Sequence, residues 1–246
     1  MDDFDELKCR YIIKGTLTNL SQLHIGAGTA DTEFSMIDGP VIRLRVGSDE
    51  LPYIPGSTLK GIFRTEVERY FRAIGEKVCY PYDHESVCNK AGDDGSLGDL
   101  CPVCEIFGSQ KIASHIIISD AVLNKDAQVF LKVKPGVAIN RITGATQRGA
   151  FYTFETVQPG AVFDFEMQII NIDMREDGKK QRAIKFVLRQ LRDGWLQVGG
   201  KRSTGLGYIK IREVDGEPDA RVIEIRPEYL ETFKFPELKF NEFIGE

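Results

Sequence analysis

Two periods of apolar residues alternate along this chain. Leu59, Ile62, Phe63, Val67, Tyr70 and Phe71 return at helical spacing after "PGS", with Ser57 placed to cap a helix over 57–72. Ala183, Ile184, Val187, Leu188 and Leu191 mark a second helix. In "AVFDFEMQII" (161–170) the period falls to two: Phe163, Phe165, Met167 and Ile169 alternate with Asp164, Glu166 and Gln168, as in a half-buried strand. Further strands are expected in "RYIIKGTLTNL" (10–20), "PVIRLRV" (40–46), "HIIISDAVL" (115–123) and "LGYIKIREV". Without two long insertions, at about 75–110 and 125–158, the order is strand, helix, strand, strand, helix, strand. That is an α+β, ferredoxin-like (RRM-like) βαββαβ arrangement, with helices on one face of an antiparallel sheet. The framework takes about 10–74, 112–124 and 159–214, and an acidic tail follows over 215–246. No low-complexity linker divides the chain, so residues 1–246 are expected to form a single domain.

Composition narrows the class of partner. No stretch approaches the roughly 20 apolar residues of a membrane span, and the acidic start "MDDFDELK" does not have the pattern of a secretion signal. The expected location is the cytoplasm, with no membrane partner. Five cysteines in a reducing compartment point to metal ligation more than to disulfides. The net charge of -5 hides a sorted distribution, because the acids crowd the two ends and residues 7–212 alone carry +5. Residues 127–154 contain no acid but hold Lys132, Lys134, Arg141 and Arg148. Residues 194–212 repeat the pattern with Lys201, Arg202, Lys210 and Arg212. Such segregation favours a polyanion, and nucleic acid above others.

Three constellations carry candidate chemistry. In "VGGKRSTGLGYIKI" (198–211), the glycines would let backbone N–H groups approach an anion while Lys201 and Arg202 supply countercharge. Lys60 and Arg64 stand in the first turns of helix 57–72, where an acid would suit the helix dipole, so an anion is expected to neutralise that end. The two basic surfaces are expected to converge in one groove around a single strand. Lys179, Lys180, Arg182 and Lys185, at the start of the second helix, read as a solvated face. His84, Cys88, Cys101 and Cys104, in the pattern H-x3-C-x12-C-x2-C, suit a closed tetrahedral structural zinc site; Cys79 is a rival for His84. For catalysis the sequence is sparse. Cys9 lies on a strand, His24 and His115 sit in apolar settings as satisfied histidines, and Asp38 occupies an Asp-Gly-Pro turn.

Six segments in order, "LHIGAG", "MIDGPV", "PYIPGSTLKGIFRTEVE", "CPVCEIFGS", "INRITGA" and "VGGKRSTGLGYIKI", resemble the RAMP superfamily, and most of all the backbone subunits of type III CRISPR effector complexes. The resemblance covers about residues 11–212 and leaves out the acidic tail. It implies a ferredoxin-like palm whose copies stack head to tail, with other complex subunits, along a CRISPR guide RNA. It implies that Ser57, Lys60 and Arg64, with Lys201, Arg202 and Ser203, grip the guide backbone. Residues 134–158 would be a thumb carrying Arg141 and Arg148, wedged into the duplex of guide and complementary target RNA. Asp38 stands where active members cut target RNA with Mg²⁺ or Mn²⁺, either as a base or as a holder of the hydrated metal. Asp31 and Glu33 are weaker candidates nearby. Two alternatives remain: a non-catalytic guide-binding scaffold, and a repeat-RNA processing endoribonuclease, which the lack of a histidine near the basic loops disfavours. The strand "VFDFEMQ" lacks an aromatic RNP signature and exposes acids, so RNA is not expected to cross this sheet as in an ordinary RRM.

Overall fold

The computed structural model describes residues 4–28, 37–80, 82–83, 87–88, 100–109, 112–124 and 130–245. The chain opens with β1 (Arg10–Asn19), followed by a hairpin of β2 (Arg43–Val46) and β3 (Asp49–Ile54) turned by Gly47 at φ 69. Then come α1 (Gly56–Ala73) and the short α2 (Pro102–Phe107). Two short strands, β4 (Ile116–Ile118) and β5 (Ala121–Val122), precede a long hairpin of β6 (Leu131–Ile139) and β7 (Thr146–Val157). The chain continues with β8 (Val162–Ile170), α3 (Lys179–Asp193), β9 (Leu196–Gln197) and β10 (Tyr208–Ile211).

The central sheet runs β4, β8, β1, with every pair antiparallel. On the far edge of β1, β10 pairs with Leu17–Asn19. α1 packs against α3 and β4, and α3 against β10. The helical spacing read from sequence therefore has a direct cause: Leu59, Phe63, Val67 and Phe71 of α1 and Ala183, Ile184, Val187, Leu188 and Leu191 of α3 are buried. Each large apolar side chain so buried contributes about 1.5–3 kcal/mol. Phe163, Phe165, Met167 and Ile169 are buried on β8 as the alternation requires.

Three features depart from the sequence reading. The acidic stretch 215–246 is built into the sheet. β11 (Glu213–Val214) and β12 (Glu217–Pro218) form a small hairpin, and β13 (Ala220–Ile225) then pairs with Arg10–Gly15 of β1. After α4 (Pro227–Leu230), β14 (Glu237–Lys239) pairs with β13, and α5 (Phe240–Ile244) buries Phe240, Phe243 and Ile244. Gly15 permits that approach, because a Cβ there would lie 2.3 Å from the Asp219 carbonyl oxygen. Glu224 is buried on β13, where Arg175 at 2.6 Å and Arg226 at 2.7 Å neutralise it. Charge counts conceal such pairing.

The second departure is the start of α1. Ser57 lies inside its first turn, and the residue before the helix is Pro55. The cap comes from elsewhere in the chain: the Gly56 N–H donates to the Asp120 carboxylate at 2.8 Å. An acid remote in sequence thus neutralises the helix end that Lys60 and Arg64 seemed to leave to a ligand. The third departure is the β2–β3 hairpin, where one strand was expected.

Candidate functional site

The glycine-rich segment 198–207 is shaped by packing. A Cβ at Gly199 (φ 81) would lie 2.2 Å from the His24 carbonyl oxygen, and one at Gly207 (φ 90) would lie 2.1 Å from that of Val198. The Gly200 N–H donates to His24 O at 2.8 Å, the Gly207 N–H to Gln22 O at 2.8 Å and the Gly205 N–H to Arg202 O at 2.9 Å. These N–H groups serve the fold and are not aimed at an anion, which corrects the sequence reading of the loop. Its side chains remain available. Lys201 takes the left-handed conformation (φ 58, ψ 29) ahead of a single 3-10 turn, Arg202–Thr204, and Arg202 and Ser203 are exposed.

Lys201 links this loop to the base of the β6–β7 hairpin. Its Nζ donates to the Tyr152 hydroxyl at 2.7 Å and lies 4.4 Å and 4.5 Å from the ring centroids of Tyr152 and Phe154. On the same stretch of β7, Thr153 holds the exposed Asp38. The Thr153 N–H donates to Asp38 Oδ2 at 2.7 Å, and its hydroxyl to the same oxygen at 3.1 Å. These bonds, the backbone one first, hold the Asp38 carboxyl below its usual pKa. The turn is fixed from behind as well. The Gly39 N–H donates to Thr153 O at 3.0 Å, and Arg43 Nη2 contacts both carboxylate oxygens of buried Glu155 at 2.7 Å. His24 Nδ1 lies 2.7 Å from Glu155 O, and its ring packs on Phe154, so it is a satisfied histidine as expected. Asp31 and Glu33 lie outside the described residues.

The β6–β7 hairpin projects apolar side chains into solvent. Ile142, at its tip, is 96% exposed, and Phe151, Ile139 and Phe130 are exposed along it. Arg141 in the connecting turn and Arg148 on β7 are also exposed.

A second region lies along one flank of α1. Ser57, Lys60 and Arg64 share a cleft of about 500 Å³ with Cys79, Cys104 and Ser109. Burial, and then the Arg64 charge, hold the Lys60 ammonium below its usual pKa. The thiols of Cys79, Cys88, Cys101 and Cys104 all lie within 4.8 Å of one another. Sγ of Cys79 is 3.5 Å from that of Cys104 and 3.6 Å from that of Cys101. Tetrahedral thiolates around zinc, at about 2.3 Å from the metal, stand about 3.8 Å apart, so the donor set fits that ion. Cys79, the rival, takes the fourth place in this cluster; His84 lies outside the described residues. Arg64 is committed to the cluster. Its Nη2 lies 3.6 Å from Cys104 Sγ, its Nη1 donates to Gly108 O at 3.2 Å, and its Nε donates to Glu68 at 3.2 Å. The Arg64 guanidinium thus faces the cysteines and the end of α2, in the cleft it shares with Ser57 and Lys60.

The loop cations meet the opposite flank of α1, where Glu66 and Arg69 share a cleft of about 520 Å³ with Trp195, Lys201 and Arg202. The two clefts share no lining residue: Lys60 lines the one beside the cysteines and Lys201 the one beside Trp195. The buried stripe of α1 lies between them. Trp195 and Asp120 escaped the sequence reading, and so did the Lys201–Tyr152 and Asp38–Thr153 pairs. "GAFYTFE" shows aromatic residues, but no spacing rule ties them to residue 38 or 201.

Comparison with known proteins places the chain. Residues 16–210 match the RAMP superfamily model. The chain is 31% identical over 222 residues to the CRISPR system Cms endoribonuclease Csm3 of Methanocaldococcus jannaschii, covering 85% of this chain and 81% of that protein. It is also 31% identical over 180 residues to the protein of that name from Mycobacterium tuberculosis, covering 70% and 68%. With the CRISPR system Cmr endoribonuclease Cmr4 of Pyrococcus furiosus it shares 27% over 124 residues, covering 48% and 41%. The chain belongs to the RAMP superfamily, as a homologue of Csm3 and Cmr4.

Proposed function

We propose that this protein is a guide-RNA-binding backbone subunit of a type III CRISPR effector complex and that it cleaves complementary target RNA at Asp38. The relatives named as endoribonucleases support the reaction class, and the antiparallel order β4, β8, β1, β10 supports a ferredoxin-like palm. One observation carries the site: Thr153, at the root of the β6–β7 hairpin, fixes the Asp38 carboxylate through its N–H at 2.7 Å. In this reading the hairpin is the thumb. Its exposed Ile142 and Phe151 press between bases of the guide–target duplex and turn one target nucleotide out of the stack, with Arg141 and Arg148 on the backbones.

A splayed nucleotide can bring its 2′-hydroxyl in line with the adjoining phosphorus. The 2′-hydroxyl gives its proton to water as its oxygen bonds to phosphorus, and the 5′-oxygen leaves and takes a proton from water, which yields a 2′,3′-cyclic phosphate and a 5′-hydroxyl. A carboxylate held ionised by two hydrogen bonds is a weak proton acceptor and a good holder of positive charge. Asp38 is therefore assigned to hold hydrated Mg²⁺ or Mn²⁺, which supplies charge neutralisation at the phosphate. Lys201, from the loop ahead of the 3-10 turn, adds a cation held against the same stretch of β7. Zn²⁺ on Cys79, Cys88, Cys101 and Cys104 would close four positions and stabilise the insertion, with no catalytic role.

The test uses the assembled complex with its guide. Asp38→Asn is expected to leave assembly and target binding unchanged and to abolish cleavage in Mg²⁺ or Mn²⁺. Cleavage by the variant at every site would remove Asp38 from the reaction. If wild-type complex does not cut in either metal, the protein is a scaffold; cutting of a lone repeat hairpin by the purified chain would identify a processing enzyme.

A further inference from the structure

The cleft beside the 3-10 turn holds a feature that the proposed reaction does not use. Trp195 is the chain's one tryptophan, and it is 69% exposed. Its position is rigid. Gly194 ends α3 in the left-handed conformation (φ 77, ψ 27), the Trp195 N–H donates to Gln190 O at 3.0 Å, and the next residue, Leu196, is buried in β9. Leu196, the first residue of β9, is anchored inward, and the indole just ahead of it is left outward. The cleft it enters, about 520 Å³, is lined also by Arg69, Lys201 and Arg202 with a single acid, Glu66, which is paired to Arg69. Arg202 has no ion-pair partner among the described residues.

We infer that Trp195 is a stacking platform for one unpaired base of a bound single-stranded RNA, with Arg202 on an adjoining phosphate. The inference rests on the RNA-binding function proposed above and adds to it a contact with a base. An exposed aromatic on a fixed backbone loses little freedom when a base covers it, and base stacking tolerates any sequence. The charge decides between RNA and an apolar protein partner. Covering this cleft with an apolar surface would bury the unpaired Arg202 guanidinium at high cost, whereas a sugar-phosphate strand brings countercharge and a flat base together. Lys201 lines this cleft and also lies over Tyr152 and Phe154, next to the Thr153 that holds Asp38. A strand seated on Trp195 therefore runs toward the hairpin root.

The experiment uses the purified full chain and a synthetic single-stranded RNA of mixed sequence carrying a fluorescent label. Binding is followed by anisotropy, and stacking by the emission of the single tryptophan. The expected result is quenching of that emission at saturation. Trp195→Ala should bind about 5- to 150-fold more weakly, the range for loss of one stacked base. Its slope of log affinity against log salt should be unchanged, because no phosphate contact is lost; Arg202→Ala should reduce that slope by about 0.7. Trp195→Phe should recover most of the affinity. Salt-dependent RNA binding with unchanged emission, and Trp195→Ala within twofold of wild type, would overturn the inference and leave the RNA-binding function standing. Emission that changes with protein concentration alone would assign the indole to a second copy of the chain. Failure to bind RNA at low salt would overturn both readings.

Discussion

Replacing Arg64 separates two roles that its position on α1 leaves open. From the sequence alone, Arg64 is a phosphate ligand beside Lys60. In the structure its guanidinium makes three contacts inward: Cys104 Sγ at 3.6 Å, Gly108 O at 3.2 Å and Glu68 at 3.2 Å. Arg64→Ala removes all three, but Glu68 keeps a cation in Arg72 at 3.5 Å. The uncompensated losses are therefore the contacts to the thiol and to the carbonyl that follows α2. Donors that hydrogen-bond the ligating atoms of a metal site change metal affinity by about 10- to 100-fold when removed, which is about 1.4–2.7 kcal/mol. Zinc competition against a chromophoric chelator measures this directly. Arg64→Ala should release zinc at correspondingly lower chelator concentration, and Cys79→Ser should lose it more completely, while His84→Ala retains it. RNA affinity and its salt slope should stay near wild type in Arg64→Ala. Unchanged zinc affinity, with an RNA salt slope reduced by about 0.7, would refute this reasoning and return Arg64 to the RNA.

Two further predictions concern the frame around the site. Gly199→Ala places a methyl 2.2 Å from the His24 carbonyl oxygen at φ 81, whereas Gly205, at φ 87, has no atom within 4 Å of that position. Calorimetry should show Gly199→Ala destabilised by at least about 2 kcal/mol, a fall in Tm of roughly 4–8 °C. Gly205→Ala should lose only about 1 kcal/mol from its backbone conformation; equal losses would contradict the packing argument. Burial raises the Asp173 pKa, but hydrogen bonds from Arg226, the Arg175 N–H and Tyr11 outweigh it and bring the value from 3.8 to about 2. Its stabilising contribution is therefore fully present above pH 3.8 and is lost as pH falls toward 2. Urea midpoints across that window should fall less steeply in Asp173→Asn than in wild type, and identical slopes would exclude Asp173 as a source.

Much of the framework could be read from the sequence because burial on α1, α3 and β8 imposes the periods of their apolar residues. Three elements escaped for physical reasons. The acidic stretch after residue 214 read as a tail outside the framework because the pairing that buries its charge is tertiary, as between Glu224 and Arg175. The start of α1 seemed to need an external anion because its cap, Asp120, lies 64 residues from Gly56. Cysteine spacing located the insertion that gathers four thiols but left Cys79 and His84 as rivals, since that choice depends on how the loop closes. The Asp-Gly-Pro turn was visible as a turn. Its attachment to Thr153 across 115 residues is a tertiary contact that no local pattern encodes.

The central claim is that this chain holds a guide RNA, and the most direct measurement is to purify it from its native cells and sequence the RNA that accompanies it. The account expects RNAs of defined length that pair a CRISPR repeat fragment with varied spacer sequence, together with further copies of the chain. Recovery of the intact protein with no RNA, or with fragments that reflect only cellular abundance, would contradict it.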